Sequence, residues 1–414
     1  MKRRSLLLLP LSLGLPARAA GPAPAPASRY ASLTRTLAAL QRRSRLPGFG
    51  VAVVSGTKVL YQHGFGLADV AAGRPYTDAT LQNVGSVSKT VVGVALVKAI
   101  ELGYFGLDTE IERILPFAVR NPHSRLPIAV RHLVTHTSGI LDDDVVYGHS
   151  YTIAPGADRK GPLYRQFERD FTLPGRGDTS LGAFLRDYLS QDGARYRKTN
   201  FARAAPGAAY HYSNIGSALA AYLIEAKSGE GFDAFTKRHI FDPLGMHATR
   251  WHPDPALAAR QASVYDRRQR PYPRYGLITY PDGGLTTSVG ELARFLMAMV
   301  KGYQGGEGVL TKAGFTLLFA PQFAPDALPA GSPKGEPNSG VFWRIRRNGQ
   351  VGHTGSDPGI VAFMFIDPAS GTGRILMTNT EFSGVGEDDD PQLVRQFREV
   401  WAALGEVRQG GGFD

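Results

Sequence analysis

No cysteine occurs in the 414 residues, which excludes a disulfide framework, a thiolate metal site, a catalytic thiol and a lipid-bearing cysteine. Charge is sparse: 20% of residues are charged and 43% hydrophobic, so the chain can bury a sizeable core, and neither a disordered tail nor a coiled-coil rod is expected. Long apolar runs are missing too. The leucine run from Leu6 to Leu15 is interrupted by Pro10 and falls short of the roughly 18 apolar residues needed to span a bilayer. Basic runs such as Arg42-Arg43 and Arg344-Ile345-Arg346-Arg347 are short and lack interleaved aromatics, so they read as solvated faces and no nucleic-acid partner is expected.

Two catalytic signatures are also absent. No Gly-x-Ser-x-Gly elbow is found, which argues against an α/β-hydrolase, and there is no His-Glu-x-x-His. His132 and His136 lie four apart and could share a helix face, but no nearby carboxylate completes a metal site, so they read as structural.

Residues 1–19 have the form of a secretory signal: Lys2, Arg3 and Arg4, the leucine run, then the small-x-small pattern Ala17-Arg18-Ala19. Cleavage before Ala20 would lower the formal charge from +11 to +7 and leave a mildly basic bacterial protein, periplasmic or secreted, without a transmembrane span. Arg3-Arg4-Ser5-Leu6-Leu7 also resembles a twin-arginine signal, so the export route stays open. Residues 20–27 form a Pro/Ala linker.

The remainder divides by its periodicities. Leu33, Leu37 and Leu40 mark an amphipathic first helix, and Phe49–Ser55 with Val59–Gly66 read as a hairpin turning at Gly56-Thr57. Ser86 to Leu102 reads as a buried apolar helix stopped by Gly103, and Asn214 to Lys227 as a helix stopped by Gly229. Residues 142–180 show no period, which suggests a functional lid or a disordered insertion. Ser288 and Glu291 form a capping box opening a helix through Val300. Val341–Arg347 and Gln350–Thr354 flank Asn348-Gly349, a pair suited to a type I′ turn, and strands Ile360–Ile366 and Arg374–Asn379 follow. Asp390 and Pro391 open a final helix with Val394, Phe397, Trp401 and Leu404 in one stripe. The implied fold class is α/β: residues 28–104 and 285–408 build a sheet domain, and 105–284 an inserted helical subdomain with a variable 142–195 segment.

One constellation carries chemistry. Ser86-Val87-Ser88-Lys89 is a Ser-x-x-Lys at a helix start, so the amine and hydroxyl share a face and the helix N-terminus adds partial positive charge. A second match, Ser55-Gly56-Thr57-Lys58, lies in a hairpin turn and reads as turn residues. Tyr212-Ser213-Asn214 and His353-Thr354-Gly355-Ser356 follow in order. Together these resemble the three motifs of the penicillin-recognising serine hydrolases, in the class C β-lactamase and D-alanyl-D-alanine carboxypeptidase branch. Flanking strings are similar as well: Val84-Gly85, His132 to Gly139, Phe241 to Met246 and Gly283-Gly284-Leu285. The resemblance covers most of the chain except 142–195. It implies a β-lactamase-like fold, an antiparallel sheet flanked by terminal helices with an inserted all-α subdomain.

The same resemblance implies roles. Ser86 would be the acylated nucleophile, Lys89 and Tyr212 a coupled base, with the residues leaving open which takes the proton. Asn214 would hold the substrate amide or the Lys89 amine, and the resemblance implies no metal or organic cofactor. Backbone N–H groups of Ser86 and Ser356 would form the oxyanion hole on an edge strand, beside Thr354 and the small Gly355. His353 departs from the lysine common at that position, which weakens the expected selection of a substrate carboxylate except near pH 5.5, where its protonated form would imitate lysine. Arg344 and Arg346 on the neighbouring strand are the alternative carboxylate contacts. The expected activity is an acyl-enzyme hydrolase of esters, amides or peptides, D-alanyl peptides and β-lactam-like compounds among them, with a small-molecule or cell-wall peptide substrate. The competing reading is a non-catalytic cell-wall or peptide-binding module on the same fold.

Overall fold

The computed structural model describes residues 30–172, 179–383 and 388–407; the signal segment 1–19 and the linker 20–27 lie outside the described residues. An eight-stranded antiparallel sheet has the order Arg74–Pro75, Val59–Asp69, Gly48–Val54, Thr372–Thr378, Ile360–Asp367, Val351–Asp357, Arg344–Ile345, Asn338–Ser339. Its centre joins the two ends of the chain, since Gly48–Val54 pairs with Thr372–Thr378 through Ala52 opposite Ile375. Both of these strands are buried along their whole length, because helices cover both faces.

On one face, the helices Ala31–Arg43 and Pro391–Leu404 press Leu33, Leu37, Leu40, Phe397 and Leu404 onto Phe49, Val51, Phe65 and Leu376. The stripe of the last helix is rotated from the expected one: Leu393, Phe397, Val400 and Leu404 are buried, whereas Val394 and Trp401 are only partly so. Trp401 instead carries the Arg374 guanidinium 4.7 Å from its ring centre. On the other face lies Val289–Tyr303, with Leu292, Leu296 and Val300 in the larger core cluster beside Ala52, Val54 and Ile375.

Between the sheet segments the described residues are mainly helical, with two short strand pairs, Leu81–Asn83 against Thr286–Ser288 and Tyr151–Ile153 against Tyr275–Leu277. Ser88–Glu101 is buried over nearly all its length, and Gly103 at φ +77 ends it. Ser213 caps Asn214–Ser228 by accepting from the Gly216 N–H, and left-handed Gly229 stops it. At Ser288 only half of the capping box forms. Its hydroxyl accepts from the Glu291 N–H at 3.2 Å, but the Glu291 carboxylate turns away to the Ala248 N–H and the Thr249 hydroxyl.

Three further expectations change. The stretch 142–180, expected as a functional lid or a disordered insertion, is ordered where it is described: 142–172 hold the helices Asp144–Gly148 and Tyr164–Phe171 and one strand, Leu181–Leu189 is helical just beyond, and the aromatic cluster of Tyr151, Phe167, Phe171 and Tyr275 fixes the segment to the body. Val341–Arg347 is extended only at Arg344–Ile345, because buried Phe342 adopts φ +58 and breaks the strand. The turn after it is not type I′. That turn needs positive φ at both central residues, and of Asn348 and Gly349 only Gly349 has it, at +80.

Candidate active site

The open end of strand Val351–Asp357 is what positions the site. The short strand Arg344–Ile345 pairs with it only at Val351 and Gly352, so the strand is internal there and an edge from His353 onward. The turn Gly85–Val87 packs against this free edge. A methyl group added at Gly355 would lie 2.0 Å from the Val84 carbonyl and 3.0 Å from the Ser86 nitrogen, and one at Gly85 would lie 2.8 Å from the Ser356 nitrogen. Gly85 also has φ +53, a conformation that disfavours a side chain. These close approaches hold the Ser86 and Ser356 backbone nitrogens side by side.

Ser86 sits in that 3-10 turn, two residues before the α-helix, which begins at Ser88. Its Oγ accepts from the Lys89 ammonium at 3.0 Å and from the Tyr212 hydroxyl at 2.9 Å. Lys89 is fully buried, and its other two donors go to Asn214 Oδ1 at 2.7 Å and the Asp282 carbonyl at 2.6 Å. All three ammonium protons are therefore directed, and one of them points at the nucleophile. Ser86, Lys89, Tyr212 and Asn214 thus converge. Ser55 and Lys58 instead close a local hairpin turn, with the Ser55 hydroxyl at the Lys58 backbone.

Several residues outside the motifs place the motif residues. The Asp142 carboxylate accepts from the backbone N–H groups of Asn214 and Ile215, the Asn214 amide and the Ser213 hydroxyl, so it caps that helix and turns Asn214 Oδ1 toward Lys89. Burial pushes its pKa up while those hydrogen bonds oppose the rise. His136 is held in the left-handed region at φ +56. Its carbonyl accepts from the His211 N–H and its Nδ1 from the Ser213 N–H, which brackets Tyr212, and its ring lies 4.4 Å from the Tyr212 ring. His132 accepts from the Ala129 N–H. The two histidines therefore serve different backbone segments, and no metal-binding cluster is found among the described residues. A capping carboxylate 72 residues from the motif it holds has no sequence signature; the unusual φ of His136 has none either.

His353 is buried, and burial together with the nearby Arg344 and Lys89 charges holds its pKa well below the ordinary imidazole value. The expectation that it becomes cationic near pH 5.5 is overturned for that reason. Its Nδ1 bonds the Thr354 carbonyl and its Nε2 has no partner. Arg344 and Arg346 are not on a solvated face: both pair with Glu336, and Arg344 also reaches the Tyr210 hydroxyl at 3.0 Å and lies 4.9 Å from the Tyr212 ring centre. Arg346 stacks 3.7 Å from the centre of the Phe365 ring.

Ser86, Tyr212, Asn214 and the whole run His353 to Ser356 line one cleft of about 530 Å³. Tyr147 and Tyr151, from the segment that had no sequence period, line it too, with Asp282 and Asp357. Of three other cavities of similar volume, one is a shallow surface depression along the last helix, one lies near Arg74 and Tyr265 and one lies between Phe117 and Leu189; Ser86 lines none of them.

The chain was compared with known proteins. The Beta-lactamase family model matches residues 33–399. Esterase EstB of Burkholderia gladioli is 30% identical over 207 residues, which span 50% of this chain and 47% of the esterase. Penicillin-binding protein 4 of Amycolatopsis lactamdurans is 24% identical over 382 residues, 89% of each chain. Among solved structures, the octameric penicillin-binding protein homologue from Pyrococcus abyssi superposes with a TM-score of 0.68 at 23% identity, covering 91% of this chain and 77% of that one.

Proposed function

Because the chain belongs to the beta-lactamase family of serine hydrolases, we propose that it cleaves an ester, amide or peptide through an acyl-enzyme on Ser86. The observation that carries this reading is the Ser86 hydroxyl held by Lys89 at 3.0 Å and by Tyr212 at 2.9 Å. A serine hydroxyl is a poor nucleophile until a neighbour takes its proton, and two groups of suitable chemistry are within reach. Once the Lys89–Tyr212 pair has released one proton to solvent, leaving a neutral amine or a phenolate, it can take the Ser86 proton as Oγ attacks the substrate carbonyl. The negative charge that develops on the carbonyl oxygen is met by the N–H groups of Ser86 and Ser356. When the tetrahedral species collapses, the bond to the leaving group breaks and the leaving atom takes the proton back from that pair. Water then attacks the acyl-enzyme by the reverse sequence, which releases the acid and frees Ser86.

Asn214 has its oxygen on Lys89 and its nitrogen on Asp142, so in this reading it orients the amine. The open strand edge from His353 to Asp357 offers backbone groups along which an extended substrate can lie. Esterase, penicillin-binding and beta-lactamase names occur among the relatives, which agrees with a shared acylation step. We also propose export, on the form of residues 1–19. Among the described residues no helix is long and apolar enough to cross a membrane.

Labelling with a fluorescent phosphonate, together with turnover of p-nitrophenyl acetate, tests the reading. Ser86→Ala is expected to lose both, with turnover down by several orders of magnitude. Labelling that survives Ser86→Ala refutes the assignment, and absence of any labelling or turnover in the wild type favours a binding module instead.

A further inference from the structure

The two ends of the cleft differ chemically. Strand Val351–Asp357 runs from His353, whose ring is 6.3 Å from that of Tyr212, to Asp357 at the opposite end. Tyr212 belongs to the pair that returns a proton to the leaving atom, so the leaving group lies toward Tyr212 and His353, and the acyl portion of the substrate extends toward Asp357 and Gly283.

That acyl end is acidic and incompletely satisfied. Asp282 is 1% exposed, and its Oδ1 accepts from the Tyr147 hydroxyl at 3.3 Å. Asp357 Oδ1 accepts from the Tyr151 hydroxyl at 2.6 Å. The second oxygen of Asp357, Oδ2, is enclosed and has no hydrogen-bond partner; that of Asp282 is enclosed as well, without a hydrogen bond of normal geometry, and has the Thr279 hydroxyl beside it, which opposes the rise of its pKa; both residues line the cleft. Enclosed carboxylate oxygens without donors are rare in native proteins because stripping them of water is costly. The buried cations nearby are already committed, the Lys89 donors as described and Arg344 by sharing Glu336 with Arg346; Arg398 also lines the cleft but stands exposed to solvent on the last helix. Gly283 adds room at this end, since a methyl group there would lie 3.2 Å from Asp357 Oδ2.

We propose that Asp282 and Asp357 form a subsite for a protonated primary amine in the acyl portion of the substrate, so that the protein hydrolyses amides or esters of amino acids whose amino group is free. This rests on the acyl-enzyme reading above. The ammonium supplies donors to the two unsatisfied oxygens and takes no part in the bond changes at Ser86. It also answers the site's electrostatics. Burial raises the pKa of Asp282 to about 6 and of Asp357 to about 7, with the charge of Asp282 adding to the rise at Asp357 and Lys89 opposing both. The other ionisable groups around the pair are Asp142, Tyr147, Tyr151 and Tyr275; Asp142 adds to the rise at Asp282, and burial keeps the three phenols protonated. Selectivity for the amine therefore peaks where the pair ionises and an α-amino group, with its ordinary pKa near about 8, still holds its proton. Below about pH 6 the selectivity declines as the pair takes up protons.

The test compares kcat/KM for the p-nitroanilides of D-alanine and L-alanine with that for their N-acetyl derivatives, with p-nitrophenyl acetate as the uncharged reporter of acylation. The free amine is expected to be preferred by about 10- to 100-fold for at least one enantiomer, and Asp357→Asn and Asp282→Asn should each bring that ratio toward one, chiefly through KM. If p-nitrophenyl acetate is cleaved in a Ser86-dependent manner but the wild-type ratio is near one, or the ratio survives both variants, the subsite is refuted and the hydrolase reading stands. If no Ser86-dependent cleavage of any of these compounds occurs, both fall. Should a variant fail to fold, the wild type decides: propylammonium should inhibit p-nitrophenyl acetate hydrolysis competitively and propionate should not, and equal inhibition by the two refutes the subsite.

Discussion

Two side chains of the cleft act through hydrogen and charge placement, and each has its own consequence. Tyr212→Phe removes only a hydroxyl, 2.9 Å from Ser86 Oγ, and leaves the ring contacts with His136 and Arg344 in place. Turnover on an amide is expected to fall by about a hundred- to ten-thousand-fold with the melting temperature nearly unchanged; retention of more than half of wild-type kcat would remove Tyr212 from the mechanism. His353 is the second case. Burial and the adjacent cations hold it neutral, so protonation in the mildly acid range is resisted. In Asp282→Asn/Asp357→Asn, which removes the two cleft carboxyls that titrate in this range, the ratio of kcat/KM for a carboxylate-bearing amide to that for its methyl ester should therefore stay flat between pH 8 and 5.5, and a rise toward acid would show that the imidazole does become charged. Both side chains were legible in the sequence as motif members. The protonation state of His353 was not, because it depends on Arg344 and Lys89 approaching from other parts of the chain.

Among the elements, the closest tolerance is between the Gly85–Val87 turn and the open edge of Val351–Asp357. A Cβ at position 355 would collide with the Val84 backbone, which cannot move as a flexible side chain can. Gly355→Ala is expected to push the strand and turn apart and to lower kcat on p-nitrophenyl acetate by at least about a hundredfold, the scale on which loss of an oxyanion donor acts. Wild-type kcat in Gly355→Ala would show that the two nitrogens are not held by this contact. Helix ends were well marked by sequence: Gly103, Gly229, Ser213, Asp390 and Pro391 all sit where the signals put them. The failures occurred where tertiary contacts outbid local preference. Glu291 left its capping box for Ala248 and Thr249, Phe342 was forced to positive φ inside the core, and Asn348-Gly349 closed a different turn from the one its composition favours.

For the whole molecule, the sheet is a joint between the two ends of the chain, and the terminal helices form a layer on the face away from Val289–Tyr303. Leu37 is completely buried in that layer and lines no part of the Ser86 cleft. Leu37→Ala is expected to cost about 2–5 kcal/mol of stability, read as a drop in the denaturant midpoint, with little change in kcat/KM of the folded protein. A loss of activity exceeding the loss of folded protein would show that the terminal layer is coupled to the cleft.

Composition, periodicity and the ordered motifs by themselves determined the α/β class, the terminal helices, the family resemblance and the grouping of Ser86, Lys89, Tyr212, Asn214 and the 353–356 run. They sufficed because these features are local: a hydrophobic stripe, a cap, or a serine and a lysine three residues apart on one turn. Tertiary structure alone decided what surrounds that group. Asp142 caps a helix 72 residues away, Arg344 and Arg346 are neutralised by Glu336, and Tyr147 and Tyr151 reach the cleft from a stretch without period. Asp282 and Asp357, 75 positions apart, face one end of that cleft with an oxygen each unsatisfied. Nothing in a one-dimensional string marks such pairs, since their charge state and their shared surroundings come from burial and from neighbours that only the folded chain brings together.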